Sequence, residues 1–399
     1  MEVAKRLICV NENPQQVSET VKTAENLEDS DMKENMINNN KTRKLELDGG
    51  ESSNTNDPEK LLLCPEPTED LVEGILNRMS WPEALSLGEV SKMWRCVGQR
   101  YNPKTPRSPC LLHIGAVEPG VHRIISVTEK KCSLIRRPEL IGECCGAYKC
   151  WLVMRYPSTD EMCMVNVVTG ARVALPRWRE DGSVSVFLSS SPTAPDCMGL
   201  ARSIIDDRMS LLSCRPGDEE WTKEDGRVIS HPFEIVSSSE GKFYIEDGTR
   251  LLAVHSVNPI KFRIVMEDTE PYMRGGGLVT TYLVECGTDM LVVFARYRVQ
   301  RRMLATCHDF KVFRLDVSKK SLVKVNNLGN HALFLGDLPS VAATVETAGC
   351  RSNCIYFIEP DDSIAWRVFD LEDRSISTGP NLGAKPGLRS LIWITPGMI

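Results

Sequence analysis

Beyond residue 110 the chain repeats one device: a short apolar run stops at a polar turn and a second apolar run follows. Trp151-Leu152-Val153-Met154 crosses residues 157–161 into Met162-Cys163-Met164-Val165, and Asn166, Thr169 and Gly170 make another turn before Val173 and Leu175. Phe243-Tyr244-Ile245 turns at Asp247 and Gly248 into Leu251-Leu252-Ala253-Val254. Leu291-Val292-Val293-Phe294 precedes Phe310, Val312, Phe313 and Leu315, its expected partner, and Cys354-Ile355-Tyr356-Phe357-Ile358 crosses residues 360–362 to Trp366, Val368 and Phe369. Apolar runs this short, bounded by Gly, Asn, Asp and Pro, read as strands. Hairpin-like units with no helical periodicity between them indicate a sandwich or a propeller. About 290 residues is long for one sandwich and suits several four-stranded blades. A mainly β chain with a degenerate β-propeller over residues 113–399 is the expectation.

Residues 64–101 have a different period. Thr68 can cap a first helix, with Glu69 and Asp70 at its positive end and Leu71, Ile75, Leu76 and Met79 at helical spacing. Ser80-Trp81-Pro82 ends that helix and starts another, Pro82 suiting a first helical position, with Ala84, Leu85 and Leu87 as its apolar content. A third run sets Val90, Met93, Trp94, Val97 and Tyr101 on one stripe and Lys92, Arg95 and Arg100 off it. So small a unit carries more apolar surface than it can hide, so it docks on something. That something is either a partner or the following domain, which the helices would cap.

The order of these residues resembles the F-box, a small three-helix motif with a Pro-containing turn and a Val-Cys-Lys-x-Trp-Arg-like end. Here the end is Val90-Ser91-Lys92-Met93-Trp94-Arg95 and the head is Cys64-Pro65-Glu66-Pro67. Ser91 stands in place of the usual Cys, and Gly88 inside a helical run costs about 1 kcal/mol against Ala. A second resemblance begins at Gly146, with Trp151-Leu152-Val153, Asn166, Thr169-Gly170 and Leu175-Pro176. It continues through Gly241-Lys242-Phe243-Tyr244, Tyr282-Leu283-Val284-Glu285, Leu328-Gly329-Asn330-His331-Ala332-Leu333-Phe334-Leu335-Gly336, and Gly349-Cys350 with Asn353-Cys354-Ile355-Tyr356-Phe357. In that order these are similar to the C-terminal domain of a plant F-box family, described as a KIB-type, kelch-like β-propeller. Cys150 replaces a usual Gly, and Val167-Val168 a usual Pro-Leu. No WD dipeptide or kelch double glycine recurs at blade spacing, so blade number is not legible.

The resemblance implies a substrate-recognition subunit of a Skp–cullin–F-box ubiquitin ligase. The helical motif binds a Skp-type adaptor and through it a cullin, and the propeller holds a protein substrate. Such a tether works by proximity and needs surfaces, not a nucleophile or a cofactor. Pro65, Leu71, Ile75, Leu76, Leu85, Val90 and Trp94 are the expected adaptor face and its supporting core. Alternatives are a propeller scaffold whose F-box has decayed and a propeller hydrolase with ionisable residues at its channel.

Composition narrows the rest. A net charge of −6 argues against general nucleic-acid binding, and no apolar run is long enough for a membrane span. The apolar start of the N-terminus is too short for a secretory segment, so nucleus or cytosol is expected. In a reducing compartment the 15 cysteines read as core residues, and neither Cys144, Cys145 and Cys150 nor Cys350 and Cys354 has zinc-site spacing. Residues 1–60, polar and without aromatics, read as disordered, Lys41, Arg43 and Lys44 forming at most a weak import patch. Pro103, Pro106 and Pro109 mark a stiff linker over residues 102–112.

Enzymatic motifs are thin. Cys307-His308-Asp309 lies in an expected strand, where neighbours point to opposite faces and cannot relay protons. No Gly-x-Ser-x-Gly elbow occurs, and residues 275–277 lack the Lys-Ser/Thr of a P-loop. His331 reads as structural. Arg296, Arg298, Arg301 and Arg302, with Tyr297 among them, form a basic run suited to an acidic or phosphorylated partner or to a solvated strand and loop.

Overall fold

The structure is a computed structural model that describes residues 67–76, 78–79 and, apart from short internal gaps, 108–395. Among the described residues one α-helix, α1 (Glu69–Leu76), precedes the strands. The expected second and third helices, the N-terminal segment and the linker up to residue 107 lie outside the described residues. Cys110, Leu111 and Leu112, assigned to the linker from the sequence, are ladder residues opposite Ser126, Ile125 and Ile124. The prolines end at Pro109, and the apolar run after them has a sheet to join.

Six sheets follow. The first holds β1 (Cys110–Glu118), β2 (Val121–Ser126) and β3 (Cys132–Arg136). The second is the meander β4 (Glu143–Tyr148), β5 (Trp151–Tyr156), β6 (Glu161–Asn166) and β7 (Arg172–Leu175). The third is β8 (Ser183–Leu188), β9 (Gly199–Ile205), β10 (Arg208–Cys214) and β11 (Thr222–Lys223), and the fourth β12 (Ile235–Ser237), β13 (Phe243–Glu246), β14 (Leu251–Val257) and β15 (Ile260–Met266). The fifth has the longest strands: β16 (Leu278–Cys286), β17 (Asp289–Val299), β18 (Ala305–Asp316) and β19 (Ser321–Val325). The sixth contains β20 (His331–Leu335), β21 (Val341–Thr344), β22 (Cys354–Phe357), β23 (Arg367–Asp370) and β24 (Ile376–Thr378).

These sheets are the blades of a six-bladed β-propeller. Each apolar pair seen in the sequence is an antiparallel hairpin: Leu152 faces Val165, Ile245 faces Leu252, Val292 faces Phe313 and Tyr356 faces Val368. Blade 6 departs from the meander. It has five strands in the order β21-β20-β22-β23-β24, with β20 and β22 parallel. The ring closes through β25 (Leu391–Ile394), which pairs antiparallel with β1, Ile394 opposite Cys110. The last described strand thus completes the first blade by covering the edge of β1. Trp393 reinforces the closure by donating its indole N–H to the Leu335 carbonyl of blade 6 at 3.0 Å.

The core is six apolar layers, one between each pair of neighbouring blades. Leu152 and Met154 pack toward blade 1, while Trp151 and Val153 on the same strand pack toward blade 3. The pattern repeats on β17, where Val293 and Ala295 face blade 6 and Val292 and Phe294 face blade 4. Both faces of a blade are covered, so its strands are apolar without interruption instead of alternating. This decides between sandwich and propeller.

Polar groups fasten the layers. Asn166 accepts the N–H groups of Val168 and Thr169 at 2.9 and 3.0 Å, and its amide reaches Cys150 Sγ at 3.4 Å. The Cys at position 150 therefore serves this buried turn as an acceptor. Buried His122 accepts the Gly115 N–H on Nδ1 at 3.0 Å, so Nε2 carries the proton and donates to the Arg137 carbonyl at 2.9 Å. The Arg137 guanidinium in turn donates to the Val167 and Val168 carbonyls of blade 2, at 2.9 and 2.7 Å. His331 opens β20 with Nδ1 3.3 Å from the Leu328 carbonyl, and Asn353 holds the same corner by accepting the Leu328 N–H at 3.0 Å. The histidine is structural.

Candidate functional site

Two surfaces carry the residues singled out in the sequence. The first is α1. The Thr68 carbonyl accepts the N–H groups of Leu71 and Val72, both at 3.0 Å, as an N-cap carbonyl does, and Glu69 and Asp70 occupy the first turn. Val72 and Leu76, four apart, are fully buried, Ile75 is half-buried, and Leu71 is 54% exposed. The buried stripe is centred on Val72, which the sequence pattern did not single out, and Leu71 stands outside it. An exposed leucine beside a buried face suits contact with another molecule, whereas Leu76 suits internal support. Pro65, Leu85, Val90 and Trp94 lie outside the described residues.

The second surface is on blade 5. Arg296 and Arg298 take alternate positions on β17, so both stand on one face of the strand, Arg298 the more exposed. Arg301 and Arg302 lie outside the described residues. Cross-strand pairing adds two cations that sequence spacing did not connect. Lys311 is opposite Phe294 on β18, and Lys324 on β19 is opposite Phe313.

Cys307-His308-Asp309 lies on β18 as expected. Cys307 is buried in the layer between blades 5 and 6, where burial chiefly pushes its thiol up to about 12. Its backbone N–H donates to Glu359 Oε1 at 2.7 Å, and Glu359, itself buried, is ion-paired with Arg367. Asp309 is ion-paired with Arg374 of blade 6. Burial thus favours the neutral thiol at Cys307, and Cys307 and Asp309 tie blade 5 to blade 6. Among the described residues no three His, Cys, Asp or Glu side chains gather as metal ligands, and no helix is long and apolar enough to cross a membrane.

Residues 124–377 match the model of the KIB1-4 beta-propeller. The chain belongs to that family. An F-box protein of Arabidopsis thaliana is 24% identical over 321 residues, an alignment covering 77% of this chain and 62% of the relative, so this chain spans less than two thirds of that protein's length. Together with the F-box pattern at residues 64–101, that likeness supports an F-box protein with a KIB-type propeller. Solved structures are more distant. Apo AztD of Citrobacter koseri is 12% identical with a TM-score of 0.36, covering 74% of this chain and 100% of its own. A luciferin-regenerating enzyme is 10% identical with a TM-score of 0.34, covering 74% and 92%.

Proposed function

We propose that this KIB-type F-box protein is the substrate-recognition subunit of a Skp–cullin–F-box E3 ubiquitin ligase. In this reading the helical segment binds a Skp-type adaptor, and the propeller holds a protein client in the nucleus or cytosol. The observation that carries the reading is the pairing of an exposed Leu71, on a helix whose Val72 and Leu76 are buried, with a six-bladed propeller of this family. The buried pair keeps the helix in place and leaves Leu71 available to a second protein. The likeness to an Arabidopsis F-box protein supports the same division of labour. The rate effect is one of local concentration: holding client lysines near a charged conjugating enzyme makes transfer effectively intramolecular. No side chain of this chain need touch the reacting atoms.

Pull-down of the purified full chain with a recombinant Skp-type adaptor tests this. Leu71→Arg leaves the fold intact and abolishes capture, while a blade-surface change such as Lys324→Gln leaves capture untouched. If the folded parent captures no Skp-family member, the protein is a propeller scaffold with a decayed F-box and the ligase reading fails.

A further inference from the structure

Blade 1 turns one face toward blade 6. Trp393, Leu111 and Ile125 lie in the layer between those blades, while Ile392, Leu112 and Ile124 on the same strands face blade 2. Alternation along each strand therefore puts Leu391, His113, Arg123 and Leu134 on the face toward blade 6. The four are directly opposite one another, strand by strand, on β25, β1, β2 and β3. The row of Trp393, Leu111 and Ile125 is apolar and buried. The row beside it opens outward: Leu391 and His113 are buried, Arg123 is half-buried and Leu134 is 53% exposed. From blade 6, half-buried Ile358 and Leu382 pack against the same layer.

Two groups in this row lack the partners such groups ordinarily have. Nδ1 of His113 is buried and has no hydrogen-bond partner among the described residues, an unfavourable state for a polar atom. No hydrogen bond to a described residue holds that nitrogen, so the ring can turn to meet a ligand without losing one. The Arg123 guanidinium donates to the Leu382 carbonyl at 3.3 Å, and among the described residues no carboxylate pairs with it. Arg136, on the same face of β3 as Leu134, is already paired with Glu118. Burial chiefly, and Arg123 next, hold the His113 pKa below its ordinary 6.5, so the imidazole is neutral at neutral pH. The row thus presents one cation and one neutral ring beside an exposed leucine.

We propose that this row is the contact surface for an acidic segment of the client protein, a carboxylate meeting Arg123 and His113 and an apolar side chain two residues away covering Leu134. The inference rests on the receptor reading above and names its client chemistry. A carboxylate brings one charge to one guanidinium and keeps a second oxygen for an imidazole N–H. A phosphate brings nearly two charges, more than the single cation balances. The spacing also fits. Neighbouring strands lie about 4.8 Å apart, which sets Arg123 about that far from both His113 and Leu134, and alternate side chains of an extended peptide stand roughly 6.6 Å apart. Half-burial of Arg123 strengthens the pairing relative to one in open solvent.

The test is fluorescence anisotropy of the full chain with four degenerate peptide pools that share their flanks and carry Glu-x-Leu, Gln-x-Leu, phosphoserine-x-Leu or Glu-x-Ser at the centre. The Glu-x-Leu pool binds at least about tenfold tighter than the Gln-x-Leu pool, binds tighter than the other two, and weakens as salt is raised. Saturation with it raises the His113 pKa, read from the imidazole Cε1–H NMR signal, because a carboxylate beside the ring favours its charged form. Arg123→Gln loses the preference for Glu over Gln; if that variant is unstable, the exposed Leu134→Ser, with its melting temperature preserved, loses the preference for Leu over Ser. Equal binding of the Glu-x-Leu and Gln-x-Leu pools, a phosphoserine pool tighter than the Glu-x-Leu pool, or a folded Leu134→Ser variant that binds as the parent does overturns the proposal. Capture of the Skp-type adaptor is measured on the same samples. Its survival alongside absent peptide binding sinks this inference alone, whereas its loss alongside intact peptide binding sinks the ligase reading.

Discussion

Gly146 offers a sharp test of how blades 2 and 3 meet. It sits on β4 just past a register shift, opposite Val153, and a methyl group there would lie 2.1 Å from the Val186 carbonyl oxygen of β8. An ordinary carbon–oxygen contact is about 3.2 Å or more, so Gly146→Ala must open the two inner strands by roughly 1 Å. The obstacle is backbone held in a ladder, so no rotamer change relieves it. The next atoms, Val186 C at 3.0 Å and Val153 Cγ2 at 3.2 Å, block sideways escape. Overpacking of this kind costs about 1–3 kcal/mol, and the backbone obstacle puts this site at the upper end. With an unfolding entropy of about 2.1 cal/mol/K per residue over about 290 residues, 3 kcal/mol lowers the melting temperature by about 5 °C. Differential scanning calorimetry of parent and variant measures it. A melting temperature within about 1 °C of the parent would refute the close approach of β4 to β8.

Three further outcomes follow from the same geometry. Burial, chiefly, holds His122 neutral and below its ordinary 6.5, and His113 is likewise lowered by burial and then by Arg123. The unfolded chain therefore binds more protons between the depressed folded values and 6.5. Stability is complete above that window and falls with acidification by up to about 1.4 kcal/mol per pH unit for each histidine; melting curves from about pH 7.5 to 5.0 check the slope, which His122→Gln reduces. Arg137→Ala removes two charge-assisted bonds from blade 1 to blade 2 and costs about 2–3 kcal/mol in urea unfolding, whereas loss of Arg136, exposed and paired with exposed Glu118, costs under about 0.5 kcal/mol. Gly74 lies inside α1 with nothing within 4 Å of where an alanine methyl would stand, so Gly74→Ala raises helix stability by up to about 1 kcal/mol, read as slower amide exchange in α1.

Much of this protein is legible in its residue order because propeller strands announce themselves locally. Trp151-Leu152-Val153-Met154 can be apolar throughout only if both faces are covered, and the turn chemistry of Asn166, Thr169 and Gly170 marks where that strand's partner ends. The start of α1 is equally local, since Thr68, Glu69 and Asp70 act through the helix's own first turn. Three features were beyond that reach. The extra strand of blade 6 depends on the parallel pairing of β20 with β22, which no turn signal encodes. Closure by β25 joins residues some 280 positions apart, and its only local trace is the apolar run Leu391-Ile392-Trp393-Ile394. The basic face needs strand register to bring Lys311 and Lys324 beside Arg296 and Arg298. Strand propensity and turns are written between neighbours in the chain. Which strand lies beside which is settled by the burial of whole faces, a free energy that exists only once the ring is assembled.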